Sequence, residues 1–516
     1  MDRLNKKLSK IESINEYTNV IEEKNLDFNT VLNNMPDIMA NTVKLLKTQF
    51  INISDSCILN CCILKFAQAL TIKRPIFIDE KQQSTVIPNW YAIIFMPSGY
   101  GKDELSNYLD KFFFKNIRLL FEEQEKNYIE DIKQKIEDEA KKKYPTHKQE
   151  TTRTKFIQKQ FEDIRHLILE ATDGTQEGLF SDAKAFFLAG FGSITIKFSE
   201  FGAYLKTITT ENEKFFNCLY DAFNGTLHSK TTQGRKREKD ICSIPVNALI
   251  YSDSTIFKNQ LKGILDEFLS KGFARRSMIS FQNQTNNLKH KELSKENTKQ
   301  FLEQAEKIQD DIFKTYNLLE NNSCFKFTSD AYYITLQEYS RECINKHNKT
   351  LGNINKSEIQ SRPFKALKLA CIYAILNHPT ENVINDTDVI QAILSIEFLS
   401  KDLSSFGEYQ KEIKTDYDIF FEFFKNNLNQ EFSKTELRKK AKEYFRKNSE
   451  IIGKRISNEH FNKNFNEYID FISMSAEEEG FIFNIRTRAN NNTLYKMLEK
   501  KELKQSNGYK GLEELL

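Results

Sequence analysis

The chain has 516 residues, 39% hydrophobic and 28% charged, which excludes a disordered or fibrous protein and suits about two to four globular domains. Its 75 basic and 72 acidic residues leave a net charge of +3, so nucleic-acid binding by bulk charge is excluded and any such contact must come from local clusters. Eight cysteines form no CxxC pair and stand at no metal-ligand spacing from a histidine, which argues against a zinc module and fits a reducing compartment.

Residues 1–85 read as a helical N-terminal collar, with apolar residues at three- and four-residue spacing from Ile38 to Leu70. Within it Cys57, Cys61 and Cys62 share one apolar helix face, where free thiols act as small buried hydrophobes. No apolar signal segment opens the chain and no apolar run reaches about 18 residues, so the expectation is a cytoplasmic protein without membrane contact.

Residues 86–285 read as an α/β core. Its first strong strand, Tyr91 to Phe95, breaks into Met96-Pro-Ser98-Gly99-Tyr100-Gly101-Lys102-Asp103 and then a helix. Strand, glycine turn, lysine, helix is the order of a phosphate-binding loop, in which backbone N–H groups face an anion and the lysine adds a mobile charge. Two positions depart from the usual pattern: Met96 stands where a first glycine is expected, and Asp103 where a serine or threonine would touch a metal. The spacing then predicts one helix over Glu104 to Glu123 and a charged, solvated helical hairpin over 122–165, bent near Pro145. Further strand-like segments at 192–200, 246–252 and 277–281, separated by helices, predict a mainly parallel sheet.

The segment Ser193-Ile-Thr-Ile-Lys-Phe-Ser199-Glu200 ends on the carboxylate such a site requires. The usual ending is Asp-Glu; here Ser199 takes the Asp position, while Asp103 adds a carboxylate to the loop. One acidic group near a metal is thereby kept overall, making Asp103 and Glu200 the candidate metal residues. No HExxH or GxSxG pattern offers a rival centre.

Beyond a polar stretch near 284–300, residues 286–410 read as a helical lid region. Residues 411–500 change character. A capping box, Ser433-Lys-Thr-Glu436, opens a basic helix; another helix begins near Asn458, and two strand-like segments flank an Asn-rich tip. That is the order of a winged helix, with a polar tail at 501–516. Arg438 and Lys439 are its candidate nucleic-acid contacts.

Taken in order, several blocks resemble the P-loop proteins of phages, plasmids and other mobile elements that accompany or are fused to primases and are regarded as helicase-like. The blocks are Pro88 to Asp103, Ala171-Thr-Asp-Gly-Thr175-Gln-Glu-Gly-Leu179, Gly192 to Leu205, Leu219 to Gly225, Lys271 to Arg276 and Ser361 to Ala370. The resemblance spans roughly residues 30 to 400 and implies an AAA+ or superfamily-three-type ATPase core with a collar, a lid and a winged-helix-like domain. It implies ATP and Mg²⁺ as cofactors, and nucleotide contacts from Ser98, Gly99, Tyr100, Gly101, Lys102, Asp103, Asp253 and Arg362. Glu200 would be the catalytic carboxylate, Ser252 to Ser254 would carry a sensor group, and Arg276 or its neighbour Arg275 would be an arginine finger. Lys230, Arg235, Lys236 and Arg237, in a basic segment before the third strand, would grip single-stranded DNA. The expected protein is a ring-forming, hexameric DNA helicase or translocase in a bacterial or archaeal host, working with a primase or polymerase. The alternative is a non-motor or degenerate ATP-binding assembly or defence-linked regulator.

Overall fold

The computed structural model describes residues 26–79, 84–97, 99–172, 174–202, 210–228, 240–253, 265–266, 268–282, 295–328, 330–349, 353–410, 416–447, 458–478, 481–487 and 493–499. Ser98, Ser254, Lys230, Arg235, Lys236, Arg237 and the tail 501–516 lie outside the described residues. The chain divides into two compact units, Met1–Ser404 and Ser405–Leu516.

Unit 1 opens with helices α1 (Phe28–Asn33), α2 (Asp37–Gln49) and α3 (Asp55–Leu70). The side chain of Ser54 caps α3 by accepting the N–H of Cys57, and Asp55 lies in its first turn, where negative charge suits the helix dipole. Every residue of α3 from Ser56 to Leu70 is buried. A helix apolar all round belongs inside a fold, and α3 packs both on the main sheet and against α2. It is therefore part of the core of unit 1. The stretch Asp55–Lys73 is long and apolar enough to cross a membrane, but 94% of it is buried within the fold.

After α3 come β1 (Ile76–Asp79), β2 (Ser84–Val86) and β3 (Tyr91–Phe95), then α4 (Lys102–Phe112), α5 (Lys115–Lys143) and α6 (Glu150–Glu162). The sequence pattern predicted one helix through Phe112, Phe113 and Phe114; the structure breaks it there. Phe113 and Phe114 are both buried, Phe114 edge-on to Phe66 of α3. A straight helix would point consecutive residues about 100° apart, so the axis turns and both N–H groups bond back to Leu109 O. The charged run then forms α5 and α6, with a break over Tyr144 to Thr146.

The main sheet adds β4 (Glu170–Thr172), β5 (Ile194–Phe198), β8 (Val246–Ser252) and β9 (Met278–Phe281); a two-stranded ladder of β6 (Thr226–Leu227) and β7 (Ile241–Cys242) lies between. All five strands are parallel, in the order β4-β5-β8-β3-β9. Every residue of β3, β5, β8 and β9 is buried, as expected where helices cover both faces. Asn60 of α3 donates to Met278 O and Ser280 Oγ on one face. On the other, Tyr91 Oη donates to Leu219 O of α8 (Thr210–Phe223), which follows α7 (Gln176–Ala189).

Residues 301–410, expected to be helical throughout, form α9 (Lys295–Leu318), α10 (Asp330–Lys349), α11 (Asn353–Asn377) and α12 (Asp386–Gln410) but also β10 (Cys324–Phe327) and β11 (Val383–Ile384). These two short strands complete a second sheet, β11-β10-β1-β2. Helix α11 lies at the edge where the main-sheet strands begin. Lys368 Nζ donates to Ile87 O, Phe223 O and Asn89 Oδ1, and Lys365 Nζ to Ala274 O and Ser277 O. Glu358 sits 2.9 Å from Arg362 and 3.2 Å from Lys365, and Glu397 of α12 accepts from Arg362 and Lys346.

Unit 2 comprises α13 (Asp416–Lys425), β12 (Glu431–Ser433), α14 (Lys434–Lys447), α15 (Asn458–Lys463), α16 (Phe465–Glu478), β13 (Phe481–Thr487) and β14 (Thr493–Glu499). Its antiparallel sheet runs β12-β14-β13 around a phenylalanine-rich core that includes Phe420, Phe424, Phe445, Phe461 and Phe465. The capping box is formed: Ser433 N and Oγ donate to Glu436, and Glu436 N donates back to Ser433 Oγ.

Burial alone would raise the Glu397 carboxyl, but Arg362 and then Lys346 outweigh it and hold the group at about 2, below its ordinary 4.5. The contribution is complete above the unfolded value and is lost as pH falls from 4.5 towards 2, and it amounts to about 3 kcal/mol. Urea midpoints of unit 1 should fall steeply across that window. Glu397→Gln should lower the midpoint at pH 7 and flatten the acid slope; an unchanged slope would refute the assignment.

Candidate functional site

The lysine loop leaves β3 at the carboxyl edge of the sheet. Met96 N donates to Ser252 O at the end of β8, and Gln282 N donates to Phe95 O beyond the end of β9. The loop therefore starts from a point fixed on both sides. Gly99 and Gly101 have φ of +88° and +83°, the left-handed region that favours glycine. Met96 has no positive φ and its side chain is buried, so the position needs no glycine. Gly101 caps α4 without any side-chain hydrogen bond, leaving the first-turn N–H groups of Lys102, Asp103 and Glu104 without a side-chain cap.

Four predicted residues meet here. Lys102 of α4 pairs with Glu200, which follows β5. Ser199 Oγ donates to Asp103 Oδ1 at 3.1 Å. The carboxylate gained in the loop thus touches the hydroxyl that replaced one after the strand. Lys102 is largely covered, its side chain 11% exposed, whereas Glu200 is 59% exposed. Ser252 Oγ, at the end of β8, is buried and has no hydrogen-bond partner among the described residues. Asp253 follows it, half-buried.

Behind Asp103 runs a chain of alternating charge that the sequence reading missed. Lys197 Nζ of β5 lies 3.6 Å from both Asp103 and Glu170. Glu170 of β4 lies 3.0 Å from Lys65 of α3, which donates at 2.8 Å to Asp110 of α4; Arg118 of α5 lies 3.0 Å from Asp110. Burial opposes the charge on Lys65, but Asp110 and Glu170 overcome it and raise its pKa. Burial likewise works against the Glu170 carboxylate, and Lys65, then Lys197, hold its pKa below the ordinary value. The available signal was a lone lysine inside an apolar element, as in Cys61-Cys-Ile-Leu-Lys65-Phe-Ala and Ile194-Thr-Ile-Lys197-Phe.

No family model matches the chain, and no curated protein matches it. The reading of the site therefore rests on its geometry.

That geometry fits a polyphosphate with a divalent cation. Strand β8 separates β3 from β5, so the lysine and the carboxylate leave strands about 10 Å apart, two spacings of roughly 4.8 Å. Ligands of open parallel sheets bind at such carboxyl edges, where successive connections diverge. Among the described residues no group of three His, Cys, Asp or Glu could hold a metal alone. Two carboxylates fit Mg²⁺, which takes one or two from protein and the rest from phosphate and water.

The arginines lie elsewhere. Arg275 and Arg276 occupy a turn just before β9, at the edge where the strands begin. Arg276 Nε donates to Tyr220 O, Nη1 to Gly272 O, and its guanidinium lies 4.9 Å from the Tyr220 ring, so it is committed to the fold. Arg275 is exposed. Arg362 is buried between Glu358 and Glu397, beside the same starting edge, and does not reach the lysine loop of its own chain. Arg438 and Lys439 lie on α14 of unit 2.

Gly101→Ala should place a side chain on left-handed backbone, 3.1 Å from Glu104 Oε2. The expected cost is about 1–2 kcal/mol, read as a lower urea midpoint for unit 1. A midpoint equal to the parent's would contradict the loop conformation.

Proposed function

We propose that unit 1 is an ATPase of the P-loop type, in the AAA+ or superfamily-three style, that drives translocation along or unwinding of DNA. The observation that carries this reading is the convergence of Lys102, Asp103, Glu200 and the partnerless Ser252 hydroxyl at the carboxyl edge of three adjacent parallel strands.

In this reading the loop N–H groups and Lys102 hold the β- and γ-phosphates of ATP, and Lys102 exchanges its ion pair with Glu200 for the phosphate. Mg²⁺, when bound with the triphosphate near Asp103 and Glu200, would neutralise charge on the phosphate oxygens. Glu200, released from Lys102, orients a water and accepts its proton as the water oxygen attacks the γ-phosphorus and ADP departs. The Ser252 hydroxyl donates to a terminal phosphate oxygen, gaining the partner it lacks. Lys197, held by Glu170, keeps Asp103 directed at the site.

Arg275 is the better candidate for a finger because Arg276 is already bonded within its own chain. It stands at the opposite edge of the sheet from the loop, so it serves a neighbouring subunit and turnover requires a ring, proposed to be a hexamer. Work on DNA in the replication of a phage, plasmid or other mobile element, alongside a primase or polymerase in a bacterial or archaeal cytoplasm, completes the reading. In this reading helices α9 to α12 form the helical region, with α11 at the edge opposite its own nucleotide, and unit 2 supplies the winged helix.

Lys102→Ala should lower ATP turnover at least about 100-fold, since it removes the main cation for the transferring phosphate. Steady-state hydrolysis with and without single-stranded DNA, with oligomer mass measured on the same sample, tests the motor. DNA-stimulated turnover from a large assembly is expected; nucleotide binding without turnover would favour the non-motor alternative. Arg275→Ala should abolish turnover alone, yet mixing it with Lys102→Ala subunits should restore part of it, because some interfaces then carry both residues intact. No recovery on mixing would remove the trans finger.

A further inference from the structure

Unit 2 carries a charge arrangement that helix order alone does not reveal. Its helix just before the β13–β14 hairpin, α16, contains no Lys, Arg or His, and it exposes Glu467 and Asp470. A helix of that charge laid in a duplex groove would meet phosphates with like charge. The cations lie on α14 instead. Lys434, Arg438 and Lys442 recur every four residues, and with Thr435, Lys439 and Asn462 of α15 they line a cleft of about 470 Å³. Of the acids of α14, Glu436 is tied into the helix cap, and Glu443 falls about 140° around the helix from Arg438, one turn beyond Lys439 at the rim of the cleft.

The cleft is preset by its aromatic floor. The Arg438 guanidinium lies 4.6 Å from the Phe465 ring and Lys434 Nζ 5.8 Å from it, while Lys442 Nζ lies 5.9 Å from Phe461. Both rings are buried, so cation–π contact orients the heads without neutralising them. Arg438 Nε is buried and has no hydrogen-bond partner among the described residues. Among the described residues every charged side chain lining the cleft is a cation, and the two neutral polar side chains, Thr435 and Asn462, also offer donors.

We infer that this cleft binds the sugar-phosphate backbone of a nucleic acid, without reading bases, and that α16 does not enter a groove. Lys434 to Lys442 spans about 12 Å at 1.5 Å per residue, over which one DNA strand presents roughly three or four phosphates. The three cations stand about 6 Å apart along the helix axis, and a strand with a phosphate every 3.4 Å of axis offers each of them a partner, whereas the carboxylates of an acidic peptide have no such fixed row. The inference rests on the proposed action on DNA but not on hydrolysis.

The test uses the full chain, a fluorescent 20-nucleotide oligo-dT and a 20-base-pair duplex, across a salt series. Lys434→Glu/Arg438→Glu/Lys442→Glu should weaken binding at least about tenfold at 0.1 M salt and flatten the log K against log salt slope by about three. Lys439→Glu/Lys442→Glu, which leaves Arg438 on Phe465, should give a smaller loss in the same direction and guards against misfolding of the triple variant. Lys440→Glu, on the far side of α14, should change affinity less than twofold. Equal affinity for parent and both cleft variants overturns the inference, as does equal loss from Lys440→Glu. Parent binding polyglutamate as tightly as oligo-dT would also overturn it, by making the cleft an acidic-protein dock. Nucleotide binding is measured in parallel: its loss in Lys102→Ala with DNA affinity kept bears on the ATPase reading alone, and the reverse result bears on the cleft alone.

Discussion

A buried ammonium group sets the geometry on which the rest of unit 1 depends. Lys65 emerges from a helix that is apolar on every side, and its side chain is 1% exposed. A charge in that position is costly unless it is paired and hydrogen-bonded. Its two partners, Asp110 of α4 and Glu170 of β4, come from separate elements, so satisfying one nitrogen ties the helix after the lysine loop to the outer strand of the sheet. Removing Lys65 would leave two acids facing each other with only Lys197 and Arg118 to offset them. The pair is thus better described as a locating device than as a source of net stability.

The same chain of charges shapes the face the site turns to solvent. Each step alternates in sign, from Arg118 through Asp110, Lys65, Glu170 and Lys197 to Asp103. Asp103 is therefore held from behind by a cation and from the side by the Ser199 hydroxyl. Lys102, next along the helix, points to Glu200. Two neighbouring residues on one helix turn so carry opposite charges to opposite partners.

Much of this was legible in the sequence, where the signal was local. The runs at Tyr91–Phe95 and Val246–Ser252 coincide with strands β3 and β8, because four or five consecutive apolar residues (Ala248–Tyr251 in the second) bounded by turn formers suit a parallel strand buried on both faces. Ser199 and Asp103, linked on paper as a loss and a gain, lie in hydrogen-bond contact. What stayed hidden was set by tertiary packing. Strands β10 and β11 are four and two residues long and exist because β1 offers an edge to pair with. The break at Phe113 and Phe114 follows from two rings needing the same core. Arg362 stood beside a plausible helix start, but only its partners Glu358 and Glu397, four residues away and on another helix, reveal a buried network.

The wholly buried helix α3 has a consequence for how the chain comes to be folded. Its polar groups find partners far along the sequence: Asn60 bonds to residues 218 and 220 positions away, Ser54 N donates to Gln282 228 positions on, and Ser56 Oγ donates to Asp402 346 positions on. None of these partners has left the ribosome when α3 emerges. A helix whose residues from Ser56 to Leu70 all end up buried must then wait while some three hundred further residues are synthesised. Contacts of such long range are slow to form and leave apolar surface open meanwhile. The core of unit 1 is thus a late event of synthesis, closed only when β9 and α12 arrive.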